Sequence, residues 1–154
     1  MTRINIGANV KTLTDEHLLT EHREIKRLPS VYKDRINKIG NIGTIPKNFI
    51  LGKGHVLFFI DKPDLTKSRY IEIYNECINR GFNVQNYIDN WDCYENKKTS
   101  DYTINESDKK IIQERITERL TKSNKKEWHY YRKVISKEKA INILYNNYES
   151  YLHR

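Results

Sequence analysis

Apolar positions recur at helical spacing in three stretches of the chain. From about Asp15 to Lys38, the residues Leu18, His22, Ile25, Tyr32 and Ile36 stand three, four or seven apart and predict an amphipathic helix. Pro29 falls inside it and predicts a kink or an opened turn. A second helix is predicted from Pro63, which suits a first turn, to Gly81, which suits a C-terminal stop. Leu65, Ile71, Tyr74 and Ile78 would be its buried stripe. A third spans about Asn105 to Lys122, capped by Asn105 or Ser107 and burying Ile112, Ile116 and Leu120.

The pattern changes between and beyond these helices. Residues 48–61, NFILGKGHVLFFID, hold two β-prone runs around Gly52 and Gly54 and read as a hairpin or as an extended segment between helices. Residues 83–104 are polar and aperiodic and read as a long loop. WHYYRK, residues 128–133, is aromatic and basic. Ser136 to Leu152 supports a fourth helix, with Ile141, Leu144, Tyr148 and Tyr151 or Leu152 on one side, or else a frayed terminus. The expected fold class is all-α: one domain of three main helices with long connecting loops and a C-terminal fourth helix.

Composition narrows the partners. Lys and Arg number 28 against 20 acids in 154 residues, a net charge of +8, and the pI is near 9.4. Such an excess points to polyanions, nucleic acid before membrane surface. No apolar run reaches the length of a membrane span and no signal-peptide core opens the chain, so a soluble, cytoplasmic protein is expected. Cys77 and Cys93 do not form a disulfide framework or a CxxC pair, and the five histidines show no metal-ligand spacing. LGKGH at 51–55 lacks the Lys-Ser/Thr of a phosphate loop. Neither a metal nor an organic cofactor is expected.

Against this background one stretch is odd. TEHREIKR, residues 20–27, sets Glu21 and Glu24 among His22, Arg23, Lys26 and Arg27. A segment that only held phosphate would have no use for an acid; a solvated helix face would, as ion pairs across a turn. At the other end of the argument is Thr2. Its small side chain favours removal of Met1, leaving an α-amine of pKa about 7.7–8.0 against roughly 10.4 for lysine. Near neutral pH that amine is uncharged on the order of a hundred times more often than a lysine. Arg3 lowers its pKa further. A neutral amine attacks electrophilic carbon and condenses with aldehydes to Schiff bases.

MTRIN at the start, EHREIKR, FILGKGHVLFF, RGFN at 80–83 and the Trp128 segment occur in one order and spacing. Together they resemble the phage pyrimidine-dimer DNA glycosylases, often called endonuclease V. The resemblance covers about residues 1–134 and leaves 135–154 as a C-terminal extension. It implies a DNA repair enzyme acting on ultraviolet damage, with Thr2 as nucleophile on C1′ of the 5′ sugar of the dimer. Glu24 would be the essential acid, and β-elimination would then cut the strand. It further implies that Arg3, Arg23, Arg27, Arg115 and Arg119 line a DNA-binding face. Each contact with a phosphate would steepen the fall of affinity with salt by roughly 0.9 in log–log slope.

His17, two turns from Glu24, would orient DNA or the acid, or be a polar neighbour. His55 reads as a buried structural histidine, and Phe58 and Phe59 as core. Trp128, Tyr130 and Tyr131 match an aromatic tail tied to dimer recognition, although His129 stands where a Tyr is usual. Lys26 replaces the family's usual Pro, with Pro29 further on, which implies a shifted kink. The partner implied is double-stranded DNA carrying pyrimidine dimers or abasic sites, bound by a monomer. A glycosylase or abasic-site lyase for another lesion, or a non-catalytic basic DNA-binding protein, are the competing readings.

Overall fold

A computed structural model describes residues 3–95 and 99–146. These residues are mostly helical, with six α-helices and one two-stranded sheet. α1 spans Asp15–Glu24 and begins where the Thr14 hydroxyl accepts the His17 N–H at 3.2 Å. α2 spans Arg27–Ile39 and ends at Gly40, whose φ of 75° gives the left-handed cap. The single helix expected from 15 to 38 is therefore two. Pro29 is the reason: it has no N–H for the Ile25 carbonyl and its ring crowds that oxygen. The carbonyl takes the Leu28 N–H instead, at 3.1 Å. The chain bends ahead of the proline, which then fits the first turn of α2.

α3, Lys53–Phe59, corrects the hairpin or extended segment expected at 48–61. His55, Phe58 and Phe59 are all buried, at helical spacing. Phe49 packs edge-on against all three rings at 5.7–5.8 Å. Intrinsic β-preference gives way to this packing because it reports fit to a pleated surface, and among the described residues no strand lies alongside.

α4, Pro63–Asn79, has the ends read from the sequence, with Gly81 at φ 88°. Its buried face is not the expected one. Ile71 and Ile78 are 44% and 48% exposed, while Thr66, Arg69, Tyr70, Ile73, Glu76 and Cys77 are buried. Apolar counting missed a face whose charges are paired inside the protein. The expected loop at 83–104 contains a 3-10 helix, Ile88–Tyr94. It sends Trp91 to the Thr66 hydroxyl at 2.9 Å and the Tyr94 hydroxyl to the Ile60 carbonyl at 2.6 Å.

α5, Glu106–Lys122, opens with a capping box in which Asn105 and Asp108 satisfy each other's backbone N–H. It buries Ile112, Ile116 and Leu120 as expected. The chain then forms an antiparallel hairpin, β1 (Glu127–Tyr130) and β2 (Lys133–Ser136), with Trp128 opposite Ile135. This small sheet corrects the purely helical expectation, and β2 straddles the boundary drawn at 134. α6, Lys137–Tyr145, is capped by Ser136 and buries Ala140, Ile143 and Leu144. The Gln113 amide ties α6 to α5 through the Leu144 carbonyl at 3.0 Å. Tyr148, Tyr151 and Leu152 lie outside the described residues. No helix among the described residues is long and apolar enough to cross a membrane.

Candidate active site and nucleic-acid interface

The two acids of TEHREIKR have separate partners. Glu21 is 0% exposed. Its carboxylate receives Nε and Nη2 of Arg69 at 2.9 and 3.0 Å. Arg69 also donates to the carbonyls of Asn5 (2.9 Å) and Ala8, so the pair anchors the N-terminal segment across α1 and α4. Glu24, three residues on, is only partly buried and accepts the Arg3 backbone N–H at 2.7 Å. From the opposite side Arg115 donates to the Ile4 carbonyl and to the Asn5 amide oxygen, the latter at 2.9 Å. The first described residues are thus pinned between α1, α4 and α5. Thr2 itself lies outside the described residues.

Beside this pinned segment is a cavity of about 630 Å³ lined by Arg3, His17, His55, Arg115, Arg119, Lys122 and Trp128, with Leu51, Gly52, Glu118 and Ser123. Its cations lie close enough to oppose one another's charge. Burial and then Arg119 push the Arg115 guanidinium down to about 10, with Glu21 pulling upward and Arg3 adding a smaller lowering. Arg119 is lowered by burial and then by Arg3, with Glu24 and Glu118 acting the other way. A site whose resident cations repel is one where an incoming anion is stabilised.

The other expected contacts are distributed less evenly. Arg23 and Arg27 are both exposed, but the break at Ile25–Lys26 separates them, so they do not share one continuous helix. Arg23 donates to the Thr20 hydroxyl at 3.3 Å. Arg115 and Arg119 do share α5 and both reach the cavity. The aromatic segment is a folded hairpin. Trp128 lines the cavity with its ring 5.3 Å from that of His17. Tyr130 and Tyr131 pack elsewhere, their hydroxyls on the Lys11 carbonyl and the Glu76 carboxylate, each at 2.7 Å.

Sequence reasoning missed what holds that hairpin. Arg80, from the RGFN stretch, has a fully buried side chain that bonds Glu76 and Asp15 at 2.8 Å each and the Leu13 carbonyl at 2.8 Å. Its guanidinium lies 5.0 and 4.5 Å from the Tyr130 and Tyr131 ring centres. Asp15 also accepts the N–H groups of Tyr131 and Arg132 at 3.1 and 2.7 Å, and Glu16 accepts that of His129 at 2.9 Å. Tyr131 and Arg132 have φ of 51° and 68°, a conformation side chains resist and these carboxylate bonds hold in place. The signal was present in RGFN, which marked the resemblance but carried no role.

The sequence model of pyrimidine dimer DNA glycosylases matches residues 1–90, more than half of the chain. The chain belongs to that family. In this glycosylase the matched stretch carries Arg3, His17, Arg23, Glu24 and Arg27, together with the buried pairs made by Arg69 and Arg80. α5 and the hairpin, which complete the cavity, lie beyond it.

Two histidines of the glycosylase are held neutral. Burial, then Arg119 and Arg3, push His17 down to about 4. Burial and Arg115 do the same for His55, also to about 4. His55 faces the Ile50 and Ile4 carbonyls at 2.9 and 3.2 Å. Since Ile4 already accepts from Arg115, the neutral ring is best satisfied by donating from Nδ1 to Ile50, a structural role as expected. Both folded-state values lie below the ordinary 6.5, so between pH 6.5 and 4 the unfolded chain binds more protons than the folded one. Stability contributed by this pair is full above pH 6.5 and lost as the pH falls towards 4, by roughly a few kcal/mol in all. Urea denaturation at pH 7, 5.5 and 4.5 should show this decline, and a His17→Leu, His55→Leu double variant should make it shallower, the remainder including His22, which burial also lowers.

Proposed function

We propose that this glycosylase excises the 5′ base of ultraviolet-induced pyrimidine dimers in duplex DNA through the α-amine of Thr2, exposed by removal of Met1, and then cleaves the strand. The observation that carries this reading is the Glu24 carboxylate on the Arg3 N–H at 2.7 Å. The nitrogen of residue 2 is only three bonds from that of Arg3, so Glu24 is held within one residue of the proposed nucleophile.

The chemistry follows from the groups brought together. The neutral amine donates its pair to C1′. The bond from C1′ to the base breaks with its electrons on the base, which takes up a proton. Positive charge grows on the sugar, and a carboxylate beside it stabilises that charge. Opening of the sugar ring leaves an iminium between C1′ and the Thr2 nitrogen. Glu24 serves as the proton carrier at the amine and sugar, and then for loss of a C2′ proton. The C3′–O bond breaks, and water releases the unsaturated aldehyde from the enzyme. Arg3, Arg23, Arg27, Arg115 and Arg119 hold phosphates around this centre, and Trp128 meets the DNA from the cavity wall. The packing of Tyr130 and Tyr131 gives them the role of positioning the hairpin. Abasic sites enter the same route at the aldehyde.

A chain carrying an uncleaved N-terminal extension, its Thr2 nitrogen locked in a peptide bond, should bind irradiated duplex and fail to nick it. Proteolytic release of the extension to leave Thr2 first should restore nicking. Equal nicking before and after release would exclude the amine as nucleophile.

A further inference from the structure

The cationic cavity contains a feature that the amine and Glu24 do not use. Nε of Arg115, Nε1 of Trp128 and Nδ1 of His17 are buried and have no acceptor among the described residues. His17 and Trp128 are only 5% and 6% exposed, yet both line the cavity. Arg Nε and Trp Nε1 only donate, and a neutral His17 donates from one ring nitrogen. Buried donors without partners are rare because each gives up its bond to water. Two such donors around one cavity, with an unpartnered ring nitrogen of His17 beside them, indicate an acceptor with several oxygens. The cavity does not supply it from its own acid: Glu118 is paired with Lys122 at 2.5 Å.

We propose that this cavity holds the phosphate that departs from C3′ during strand cleavage, and that Arg115, Trp128 and His17 stabilise it as it leaves. The inference rests on the reading that Thr2 forms an imine. The cavity begins at Arg3, whose N–H Glu24 holds, and C3′ is two carbons from the C1′ bound to Thr2, so the phosphate falls within the same reach. In the elimination a C2′ proton leaves to a base and the C3′–O bond breaks with its electron pair on the oxygen. A diester of charge −1 thereby becomes a monoester approaching −2. Donors aimed at that oxygen cluster bind more strongly as the bond breaks, so they accelerate the step and do more than hold DNA. A phosphate held only for docking has the same chemistry but no such gain, and the two are separable by experiment.

The substrate is a duplex with a preformed abasic site, followed in a single turnover. Borohydride-trapped imine and strand scission are measured separately. Trp128→Phe removes one donor with little change of shape, and His17→Leu removes another. In each, scission should fall about tenfold or more beyond any fall in imine formation, so the ratio of the two rates is the readout. Replacing the bridging 3′ oxygen by sulfur gives a better leaving group and should erase most of that difference. With the wild-type protein alone, sulfur should accelerate scission less than it accelerates alkaline elimination in solution, a comparison that needs no variant to fold. Imine formation and scission falling together, or neither changing, would overturn the leaving-phosphate role while leaving the amine chemistry intact. A wild-type protein that forms no imine would overturn the amine reading and this one with it.

Discussion

Replacing Glu24 by glutamine is expected to slow base excision and strand cleavage by about 10²–10⁴-fold, the usual range for losing a positioned acid–base group. Affinity for irradiated duplex should be kept or slightly raised. The amide oxygen of glutamine can still accept the Arg3 N–H that Glu24 accepts at 2.7 Å, so the N-terminal segment stays in place. What is lost is the negative charge beside the sugar and the capacity to carry a proton. Removing an acid from a cationic cleft also removes its repulsion for phosphate. Glu21→Gln should act differently: it leaves Arg69 buried without its partner carboxylate and should lower stability before it touches chemistry. Single-turnover nicking with a parallel binding titration separates the two variants. Cleavage by Glu24→Gln within a few-fold of wild type would remove Glu24 from the mechanism.

Arg80→Met is expected to destabilise the protein by about 3–5 kcal/mol. The Arg80 side chain is 0% exposed and neutralises Asp15 and Glu76, both nearly as buried. Methionine fills much of the volume but leaves buried Asp15 without its cation and Glu76 with only the Lys11 ammonium at 2.9 Å. For a chain of this size the loss corresponds to a fall in Tm of roughly 10 °C or more. Adding Asp15→Asn and Glu76→Gln to Arg80→Met should return part of that loss, since removing all charged members costs less than stranding some. The hairpin should be disturbed first, because Asp15 holds the Tyr131–Arg132 turn and Glu76 the Tyr131 hydroxyl. A thermal melt followed by tryptophan fluorescence, in a Trp91→Phe background so that Trp128 alone reports, follows both effects. A change below about 1 kcal/mol would show that the buried network is not what secures the hairpin.

Local chemistry explains which parts of the fold the sequence disclosed. α5 was legible because Asn105 and Asp108 form a capping box and Ile112, Ile116 and Leu120 follow at regular spacing. The ends of α4 were legible from Pro63 and Gly81. Its buried face was not, because Arg69 and Glu76 find partners on distant elements, Glu21 for Arg69 and Lys11 and Tyr131 for Glu76. α3 was hidden by β-prone residues whose aromatic packing with Phe49 decides their conformation. The hairpin at 127–136 was hidden for a related reason: its turn uses Tyr131 and Arg132 at positive φ, where Gly or Asn would ordinarily be the signal. Asp15, more than a hundred residues earlier, supplies the support. At the site, an acid in a basic run singled out Glu24 and Glu21 together. The resemblance chose Glu24, and the fold gives the two acids different partners, Arg69 for buried Glu21 and the Arg3 N–H for Glu24.

The most direct measurement is borohydride trapping on an ultraviolet-irradiated duplex, beside undamaged and abasic duplexes, followed by mass mapping of the adduct. Dimer excision through the terminal amine predicts a covalent adduct on the irradiated and abasic duplexes, absent from the undamaged one, with the DNA remnant on the peptide that begins at Thr2. Trapping on abasic DNA alone would mean a lyase for which the dimer is not the substrate. No adduct on any duplex, from protein shown to begin at Thr2, would contradict the amine mechanism outright.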